Sequence, residues 1–388
     1  MKIIAEERSK FLSKIWGIDK GRPGNVKVYS NRFPEAMGVI SGGIYIVAMF
    51  IFIPIPFLVL HRHPSLPYFA FDMIDKFPHE EFASMVAALL SICCMLLLGF
   101  VDDILDLRWK HKLLFPAAAA LPILMVYFVT SNVTTILLPK QFGFSINLGI
   151  LYYIYMFMLA IFCTNAINIY AGINGLEAGQ SVVIATSIII YNIIELGTGN
   201  WKVHIFSLHI MIPFLAVTCA LLYYNWYPAE VFVGDTFCYF AGMTFAVVGI
   251  LGHFSKTMIL FFFPQVFNFL LSCPQLFKFV PCPRHRLPEY DTKSGLTRYS
   301  KFKYRSSEIS YLGDLFIRIL RSLGLAKEEK VALSSDTYDC SNLTLINATL
   351  VILGPMQQST LTIVLLIFQI ICSLFAFFIR YILVKYFY

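Results

Sequence analysis

Residues 148–179 read LGILYYIYMFMLAIFCTNAINIYAGINGLEAG, an apolar run of membrane-spanning length that ends in a polar, glycine-punctuated segment. A bilayer core requires about 20 consecutive apolar residues from a spanning helix, and the first part of the stretch supplies them. The second part places Asn165, Asn168 and Asn174 at the membrane boundary among three glycines. Carboxamides there either cap and tie helices or bind a ligand, and both interpretations stay open for this stretch by itself.

The whole chain has the composition of a polytopic membrane protein. Of its 388 residues, 58% are hydrophobic and 14% are charged, and the mean hydropathy of +0.71 excludes a large soluble domain. Candidate spanning segments lie near 38–60, 82–101, 113–130, 148–169, 178–194, 205–224, 236–252, 257–280 and 360–384. The predicted fold is therefore an all-α membrane protein of about nine transmembrane helices, with a small cytosolic appendage between the last two.

These runs divide the chain into four parts. We expect a cytosolic N-terminal segment at 1–37, a transmembrane catalytic bundle of about eight helices at 38–280, a cytosolic appendage at 281–359 and a final transmembrane helix at 360–388. The run 343–356 is interrupted by Asn347 and Gly354, which predicts a buried or interfacial element rather than a span. Because 281–359 is too short for a large core of its own, we expect it to pack on the bundle.

The charge distribution predicts the orientation of the bundle. With a cytosolic N-terminus and alternating helices, 22 of the 30 Lys and Arg residues fall on the cytosolic side, in agreement with the positive-inside bias. Among the N-glycosylation sequons at Asn132, Asn342 and Asn347, only Asn132 would then face the lumen. The net charge of +7 is thus a topology signal, and the absence of an aromatic and basic strand-binding platform argues against nucleic acid as a partner.

Four polar clusters leave the predicted helices on the same side of the membrane. They are Asp102–Lys112, Asn165–Gly179, Asn225–Asp235 and Pro281–Arg286. Their convergence favours a shared site over four unrelated helix ends. No Lys-Ser/Thr ending of a P-loop and no G-x-G-x-x-G pattern occurs, so nucleotide hydrolases of the P-loop type and Rossmann enzymes are excluded.

The acidic residues of these clusters have two interpretations each. Asp102 and Asp106 lie four residues apart, so on a continuing helix their carboxylates share a face suited to a divalent cation or a phosphoryl acceptor. The alternative is a solvated helix end neutralised by neighbouring basic residues. Asp235 follows Gly234 at a membrane boundary, and it is either a metal ligand or the N-cap of the seventh helix.

The basic cluster is Arg284-His285-Arg286, which stands between Pro283 and Pro288 in a rigid, non-helical stretch. Two guanidinium groups that flank an imidazole suit a diphosphate together with a sugar hydroxyl or amide. The alternative is a clamp for anionic lipid at the level of the headgroups.

Together, these residues resemble the polyprenyl-phosphate N-acetylhexosamine-1-phosphate transferase family. The similarity runs from about Pro34-Glu35 to the C-terminal helix, and its most specific strings are Asn165–Gly179, Asn225–Gly242 and Pro281–Arg286. The resemblance implies transfer of N-acetylglucosamine 1-phosphate from UDP-GlcNAc to dolichyl phosphate at the cytosolic face of the endoplasmic reticulum membrane, with release of UMP. It also implies Mg²⁺ as cofactor and tunicamycin as inhibitor, with membrane lipid and a second copy of the chain as further partners.

The resemblance assigns roles to individual residues. The catalytic candidates are Asp102, Asp103, Lys112 and Asp235; the substrate-binding candidates are Glu35, Asn174, Phe232, Arg284, His285 and Arg286; the metal ligands are Asn168 and Asp235. In this assignment Lys112 lies by the acceptor phosphate, while Asn174 reads uracil and Phe232 stacks on it. Arg284 contacts the diphosphate, and the two residues after it recognise N-acetylglucosamine. The paired aspartates act either as a base or as electrostatic support.

The chain departs from the family pattern in two places. Asp106 stands where the animal relatives are expected to have Asn, which adds a charge near the metal. The family has ten helices whereas this sequence shows about nine, because the segment before Gly17 lacks an apolar run. Either the start of the chain is truncated, or the protein functions without that helix.

Two other functions remain as alternatives. A secondary transporter would carry its polar groups near the bilayer midplane and show an internal repeat, and neither feature is evident. An intramembrane prenyltransferase would use the D-D-x-x-D spacing of Asp102, Asp103 and Asp106. Such an enzyme needs a second aspartate-rich cluster, for which Asp235 is the single counterpart.

Overall fold

The computed structural model describes residues 16–18, 32–54, 79–105, 107, 109–130, 133–137, 145–283, 286–331 and 336–387. The described chain is a helical bundle with a small appendage that contains β-strands. The helices are α1 (Gly38–Phe52), α2 (His79–Leu105), α3 (Trp109–Thr130), α4 (Ile150–Ile169), α5 (Leu176–Glu195), α6 (Trp201–Asn225), α7 (Gly234–Leu251), α8 (Ser255–Phe261), α9 (Phe263–Leu276), α10 (Tyr311–Ser322), α11 (Leu345–Leu353) and α12 (Gln358–Phe378). The strands are β1 (Trp16–Ile18), β2 (Arg32–Pro34), β3 (Thr135–Leu137), β4 (Ser145–Asn147), β5 (Glu289–Asp291), β6 (Leu296–Arg298), β7 (Lys301–Arg305), β8 (Glu328–Lys330) and β9 (Thr337–Ser341).

Six of the described helices are long and apolar enough to cross a membrane: α2, α4, α5, α6, α7 and the continuous helix that begins with α12. The pair α8 and α9 makes a seventh span if it is counted as one, although it is bent by 69°. Pro264 lies at the start of α9, where its missing N–H and its ring explain a break in the helix. Each of the nine predicted runs thus contains a described helix, but nine full spans are not confirmed. Among the described residues, α1 and the segment Leu114–Thr130 of α3 are apolar helices that are shorter than the six spans.

The helix α7 is the centre of the bundle, and every residue from Thr236 to Leu251 is buried. Small residues let its neighbours approach closely. A Cβ atom on Gly99 of α2 would lie 2.6 Å from the Cα of Thr236, and a Cβ on Gly242 would lie 2.4 Å from the Cα of Thr164 in α4. The N-terminus of α7, which carries Asp235, is therefore enclosed by the ends of other helices.

The segment before α1 is attached to the start of α7 by backbone hydrogen bonds. The N–H of Phe232 donates to the carbonyl of Pro34 (2.9 Å), and the N–H groups of Met37 and Gly38 donate to the carbonyls of Phe232 (3.1 Å) and Val233 (3.0 Å). Strand β2 pairs antiparallel with β1 directly before this segment. These bonds fix Glu35 beside the first turn of α7.

The appendage packs on the bundle through a shared apolar core. It contains the β5–β6 hairpin and an antiparallel sheet in the order β7-β9-β8, together with α10 and α11. Strand β7 buries Phe302 and Tyr304 and exposes the basic residues that alternate with them. The inward residues join one cluster with Leu271 of α9 and Leu365 of α12. The run 343–356 forms the short helix α11, which is buried from Leu345 to Leu350.

Candidate active site

The four polar clusters predicted from the sequence meet at one end of the bundle. The first and third are joined where Lys112 contacts Asp235. The second and third are joined where the N–H of Gly175 donates to the Oδ1 of Asn225 (3.0 Å). Leu287, the residue directly after the fourth cluster, lies against the second, because its Cδ2 is 2.1 Å from the position of a Cβ on Gly172. A side chain at Gly172, where φ is +125°, would therefore collide with Leu287.

Lys112 is the central charge of this end of the bundle. Its Nζ lies 2.9 Å from the Oδ2 of Asp102 and 2.9 Å from the Oδ2 of Asp235. The Asp102 side chain has no exposed surface, while that of Asp235 is 29% exposed. Two further groups hold Asp102: the hydroxyl of Tyr239 donates to its Oδ2 (2.8 Å), and the N–H of Leu107 donates to its Oδ1 (3.0 Å). The ammonium group thus connects a fixed, buried carboxylate to one that is open to solvent.

Asp103 contacts a different set of groups, because adjacent residues on a helix point about 100° apart. Its Oδ1 accepts a hydrogen bond from the N–H of Asp235 (2.7 Å). Its Oδ2 accepts from the N–H of Thr236 (3.0 Å) and from the hydroxyl of the same residue. These N–H groups belong to the first turn of α7 and have no partner within the helix, so a carboxylate there also interacts favourably with the helix dipole. Asp103 therefore fixes the backbone that carries Asp235.

Glu35 lies close to the same carboxylates. Burial raises its pKa above the ordinary value, and the negative charge of Asp235 raises the pKa further. The close fit around this segment depends on Gly234, where φ is +72° and an added Cβ would lie 2.8 Å from the Cα of Ala36. The acidic side of the site therefore includes a fourth carboxyl group, held by the chain before α1.

Asn168 and Asp235 lie on facing, antiparallel helices. The two helices touch where Gly242 packs against Thr164. Asp235 precedes Gly242 by seven residues, about two turns of α7, and Asn168 follows Thr164 by four residues, about one turn of α4. Each side chain therefore lies near the face of its helix that packs against the other helix. With a rise of 1.5 Å per residue, these intervals bring both side chains toward the same end of the bundle, by about 10 Å and about 6 Å. Their oxygen atoms are the hard ligands that Mg²⁺ prefers.

No larger metal cluster occurs in the described ranges. Within them, no three His, Cys, Asp or Glu side chains form a group that could hold a metal ion. Mg²⁺ usually keeps several waters and binds through one or two carboxylates and the phosphates of a substrate. The residues present therefore fit a magnesium ion that is completed by substrate oxygens.

The loop between α4 and α5 is held in shape from several sides. Asn174 is buried, and its carbonyl accepts a hydrogen bond from the hydroxyl of Thr362 (2.9 Å). The N–H of Gly172 donates to the Oε1 of Glu177 (2.9 Å), and the Nδ2 of Asn225 donates to the carbonyl of Val231 (2.8 Å). Because Asn225 also accepts from the N–H of Gly175, its side chain joins this loop to the connection that carries Phe232. Asn174 and Phe232 thus belong to neighbouring, mutually braced loops.

Arg286 is the described member of the basic cluster. Burial lowers the pKa of its guanidinium, and its Nη1 is buried without a hydrogen-bond partner among the described residues. The Nδ2 of Asn347 donates to its carbonyl (2.9 Å). A buried cationic donor that lacks an acceptor is well suited to a bound ligand. Arg284, His285 and Asp106 lie outside the described residues, as does the sequon at Asn132.

Four residues with a structural role at this site were not predicted from the sequence: Glu177, Thr236, Tyr239 and Asn347. Tyr239 follows Asp235 by one helical turn inside an apolar helix, and a buried phenol usually needs a hydrogen-bond partner, which could have indicated it. Asn347 interrupts an apolar run, and that interruption was the available signal for a buried polar contact. No feature of the sequence distinguishes Thr236 or Glu177 from the polar residues beside them.

Comparisons with known proteins agree on one family. The model of glycosyl transferase family 4 matches residues 85–253. A protein named UDP-N-acetylglucosamine--dolichyl-phosphate N-acetylglucosaminephosphotransferase in Schizosaccharomyces pombe is 45% identical over 372 residues, which are 92% of this chain and 83% of the relative. Proteins with the same name are 43% identical in Saccharomyces cerevisiae, over 89% of this chain and 80% of the relative, and 42% identical in Dictyostelium discoideum, over 95% and 82%.

Proposed function

The chain belongs to glycosyl transferase family 4, and we propose that it transfers N-acetylglucosamine 1-phosphate from UDP-GlcNAc to dolichyl phosphate. The products are GlcNAc-diphosphodolichol and UMP, which makes the reaction the first step of lipid-linked oligosaccharide synthesis. The relatives named for this activity match nearly the whole chain and support the assignment. The observation that carries the proposal is the position of Lys112 between Asp102 and Asp235 at the end of the bundle.

The reaction is an in-line phosphoryl transfer. An oxygen of the acceptor phosphate attacks the β-phosphorus of the donor, and the bond from that phosphorus to the oxygen bridging the two phosphates breaks, so that UMP leaves with the bonding electrons. A phosphate monoester has its second pKa near 6, so the acceptor is largely ionised at neutral pH and needs no general base. Positioning and neutralisation of charge can therefore supply the rate enhancement, with Lys112 beside the acceptor phosphate.

The hydrogen bonds of the two aspartates favour support over base catalysis. Both oxygens of Asp102 and both oxygens of Asp103 already accept from groups of the protein. A general base needs a lone pair directed at the proton that it removes. In our proposal Asp102 orients Lys112, and Asp103 orients the first turn of α7 and with it Asp235.

Asn168 and Asp235 would hold Mg²⁺ in this proposal. Lys112 contacts the Oδ2 of Asp235, so the other carboxylate oxygen is left for the ion. When bound, the ion would neutralise charge on the diphosphate of the donor. The partly exposed carboxylate lets substrate oxygens complete the coordination.

The donor would bind along the two braced loops and the basic cluster. Asn174 would recognise uracil, Phe232 would stack on it, and Glu35 would line the same side of the pocket. Arg286 would recognise the N-acetylglucosamine, because its buried Nη1 has no acceptor among the described residues. Arg284 on the diphosphate and His285 on the sugar rest on the family resemblance.

The proposed setting is the membrane of the endoplasmic reticulum, with the site on the cytosolic side. The six spanning helices make the chain a multi-pass membrane protein, and the excess of basic residues on the side of the site supports the orientation. A second copy of the chain remains a proposed partner.

The two alternatives are not favoured. The carboxylates and the lysine of the site gather at one end of the helices, whereas a transporter would need such ionisable groups near mid-depth. A prenyltransferase would direct its aspartates at one diphosphate, whereas Asp102 and Asp103 contact different groups.

The proposal is tested with purified chain in detergent, UDP-GlcNAc labelled in the sugar, dolichyl phosphate and Mg²⁺, followed by organic extraction. We expect label in the organic phase that depends on the acceptor and is blocked by tunicamycin. Glu329→Gln, an exposed change in the appendage, serves as the control that keeps activity. Absence of lipid-linked label under conditions where the protein remains folded would contradict the proposal.

A further inference from the structure

Helix α10 has three distinct faces. Gly313, Ile317 and Leu320 are buried against the appendage. At 100° per residue, the exposed leucine, isoleucine and phenylalanine side chains form one arc about 100° wide beside the buried face. We call this arc the α10 apolar face, and it consists of Leu312, Leu315, Phe316 and Ile319 together with Leu323, which follows the last residue of the helix. Their side chains are between 37% (Phe316) and 64% (Leu323) exposed.

The α10 apolar face needs a partner. Five large apolar side chains side by side make the kind of contiguous patch that soluble surfaces rarely expose. Within the part of the chain that the structure describes, no residue covers them. Their occupant is therefore lipid, another copy of the chain, another protein or a segment outside the described ranges.

The position of α10 favours lipid. Helix α9 and the residue after it expose Phe263, Leu270 and Phe277, a stripe with seven-residue spacing on the outside of the bent span. Two residues beyond this stripe, the carbonyl of Phe279 accepts hydrogen bonds from the N–H (3.1 Å) and the hydroxyl (3.3 Å) of Ser310. The first turn of α10 is thus attached where the bent span leaves the apolar layer.

Close packing at Gly313 strengthens this attachment. A Cβ there would lie 2.3 Å from the carbonyl oxygen of Phe279. The side chain of Ser310 also caps α10 by accepting a hydrogen bond from the N–H of Gly313 (3.1 Å). The α10 apolar face therefore continues the exposed apolar surface of α9 and starts close to the membrane boundary.

Charged residues border the α10 apolar face on its other side. Arg318 and Arg321 are 69% and 56% exposed in their side chains, and they pair with Asp314 (2.7 Å) and Glu328 (2.8 Å). An apolar face with arginines on the adjoining polar face is typical of helices that lie in a membrane interface. Arginines there attract anionic lipid headgroups.

We propose that α10 lies in the boundary between headgroups and acyl chains, with the α10 apolar face in contact with phospholipid. Ile317 and Leu320 share a core with Tyr170 and Ile173 of the loop between α4 and α5. Contact of α10 with the bilayer therefore fixes the level of the appendage, and of that loop, relative to the membrane surface. The inference does not depend on the proposed function.

The test uses the full chain in nanodiscs of phosphatidylcholine and phosphatidylserine. A photo-crosslinking benzoylphenylalanine replaces Leu315 on the α10 apolar face or, as the matched control, Arg318 on the polar face of the same helix. Both positions are exposed, so neither probe enters the core. Ile319 provides a second reporter if the first variant fails to fold.

The readout is intact mass spectrometry after illumination. We expect a phospholipid adduct at the position of Leu315 in several-fold excess over the adduct at the position of Arg318. A crosslink from the Leu315 position to a second copy or to a segment such as 55–78 would overturn the proposal. Equal lipid adducts at the two positions would overturn it as well, and so would a crosslink to another protein when the experiment is repeated in native membranes.

Discussion

Gly234→Ala tests how the first turn of α7 is held, because the chain offers a matched control at Gly324. The two glycines have nearly the same backbone conformation, with φ of +72° and +71°. At Gly324 nothing lies within 4 Å of an added Cβ, whereas at Gly234 the Cβ would lie 2.4 Å from the Oδ2 of Asp103 and 2.8 Å from the Cα of Ala36. The difference between the two variants therefore isolates the packing around Asp103.

The expected magnitudes follow from these contacts. Gly324→Ala should lose about 1 kcal/mol of stability, the cost of an L-residue in the left-handed region, and keep its turnover. Gly234→Ala adds an overlap with fixed atoms, typically about 1–3 kcal/mol. It should also move Asp103 and hence Asp235, and a misplacement of about 1 Å can lower turnover by about 100-fold.

The assay measures residual folded protein by size exclusion after heating in detergent, together with the initial rate of lipid-linked product formation. Gly234→Ala should melt at a lower temperature than Gly324→Ala and lose most of its turnover. Equal melting temperatures, or a turnover of Gly234→Ala within about twofold of the unmodified chain, would refute the placement of Asp103 against α7.

Three further predictions follow from the contacts of the site. Thr236→Val and Asp103→Asn should not be additive in stability, because they share one hydrogen bond; a double-mutant cycle should give a coupling of about 1 kcal/mol, and additivity would contradict that bond. Asn347→Ala should raise the KM for UDP-GlcNAc more than it lowers kcat, because the carbonyl of Arg286 loses its hydrogen-bond donor. Asn347→Asp, which lacks the same N–H group, should raise the KM in the same way, and an unchanged KM would show that Asn347 does not position Arg286. Asn342 and Asn347 should carry no glycan, since their side chains are 3% and 0% exposed; a mass shift after glycosidase treatment at either sequon would contradict these positions.

The helix positions follow from the sequence because apolar runs must be buried in lipid or protein. The number of full spans did not follow from the sequence, since run length alone does not reveal a bend such as the one at Pro264. The run at 38–60 corresponds to α1, whose described helix ends at Phe52. Hydropathy thus locates the helices but does not establish which of them cross the bilayer completely.

The convergence of the polar clusters could also be predicted, because alternation of spans puts their ends on one side. The division of roles between Asp102 and Asp103 could not, since it depends on which neighbour each carboxylate meets after α2, α3 and α7 have packed. Tyr239 and Asn347 were missed for the same reason, as each is isolated in an apolar run. Such tertiary hydrogen bonds leave only a weak signal in a single sequence.

The most direct test of the central claim follows the two phosphates of the donor separately. UDP-GlcNAc labelled with ³²P at the β position, or at the α position, is incubated with dolichyl phosphate, Mg²⁺ and either the unmodified chain or Asp235→Ala. We expect β-label in the lipid and α-label in free UMP, with the rate lowered by orders of magnitude in Asp235→Ala while its melting temperature changes little. Recovery of both labels as free UDP would contradict transfer of the sugar phosphate, and near-normal turnover of Asp235→Ala at saturating Mg²⁺ would remove Asp235 from the site.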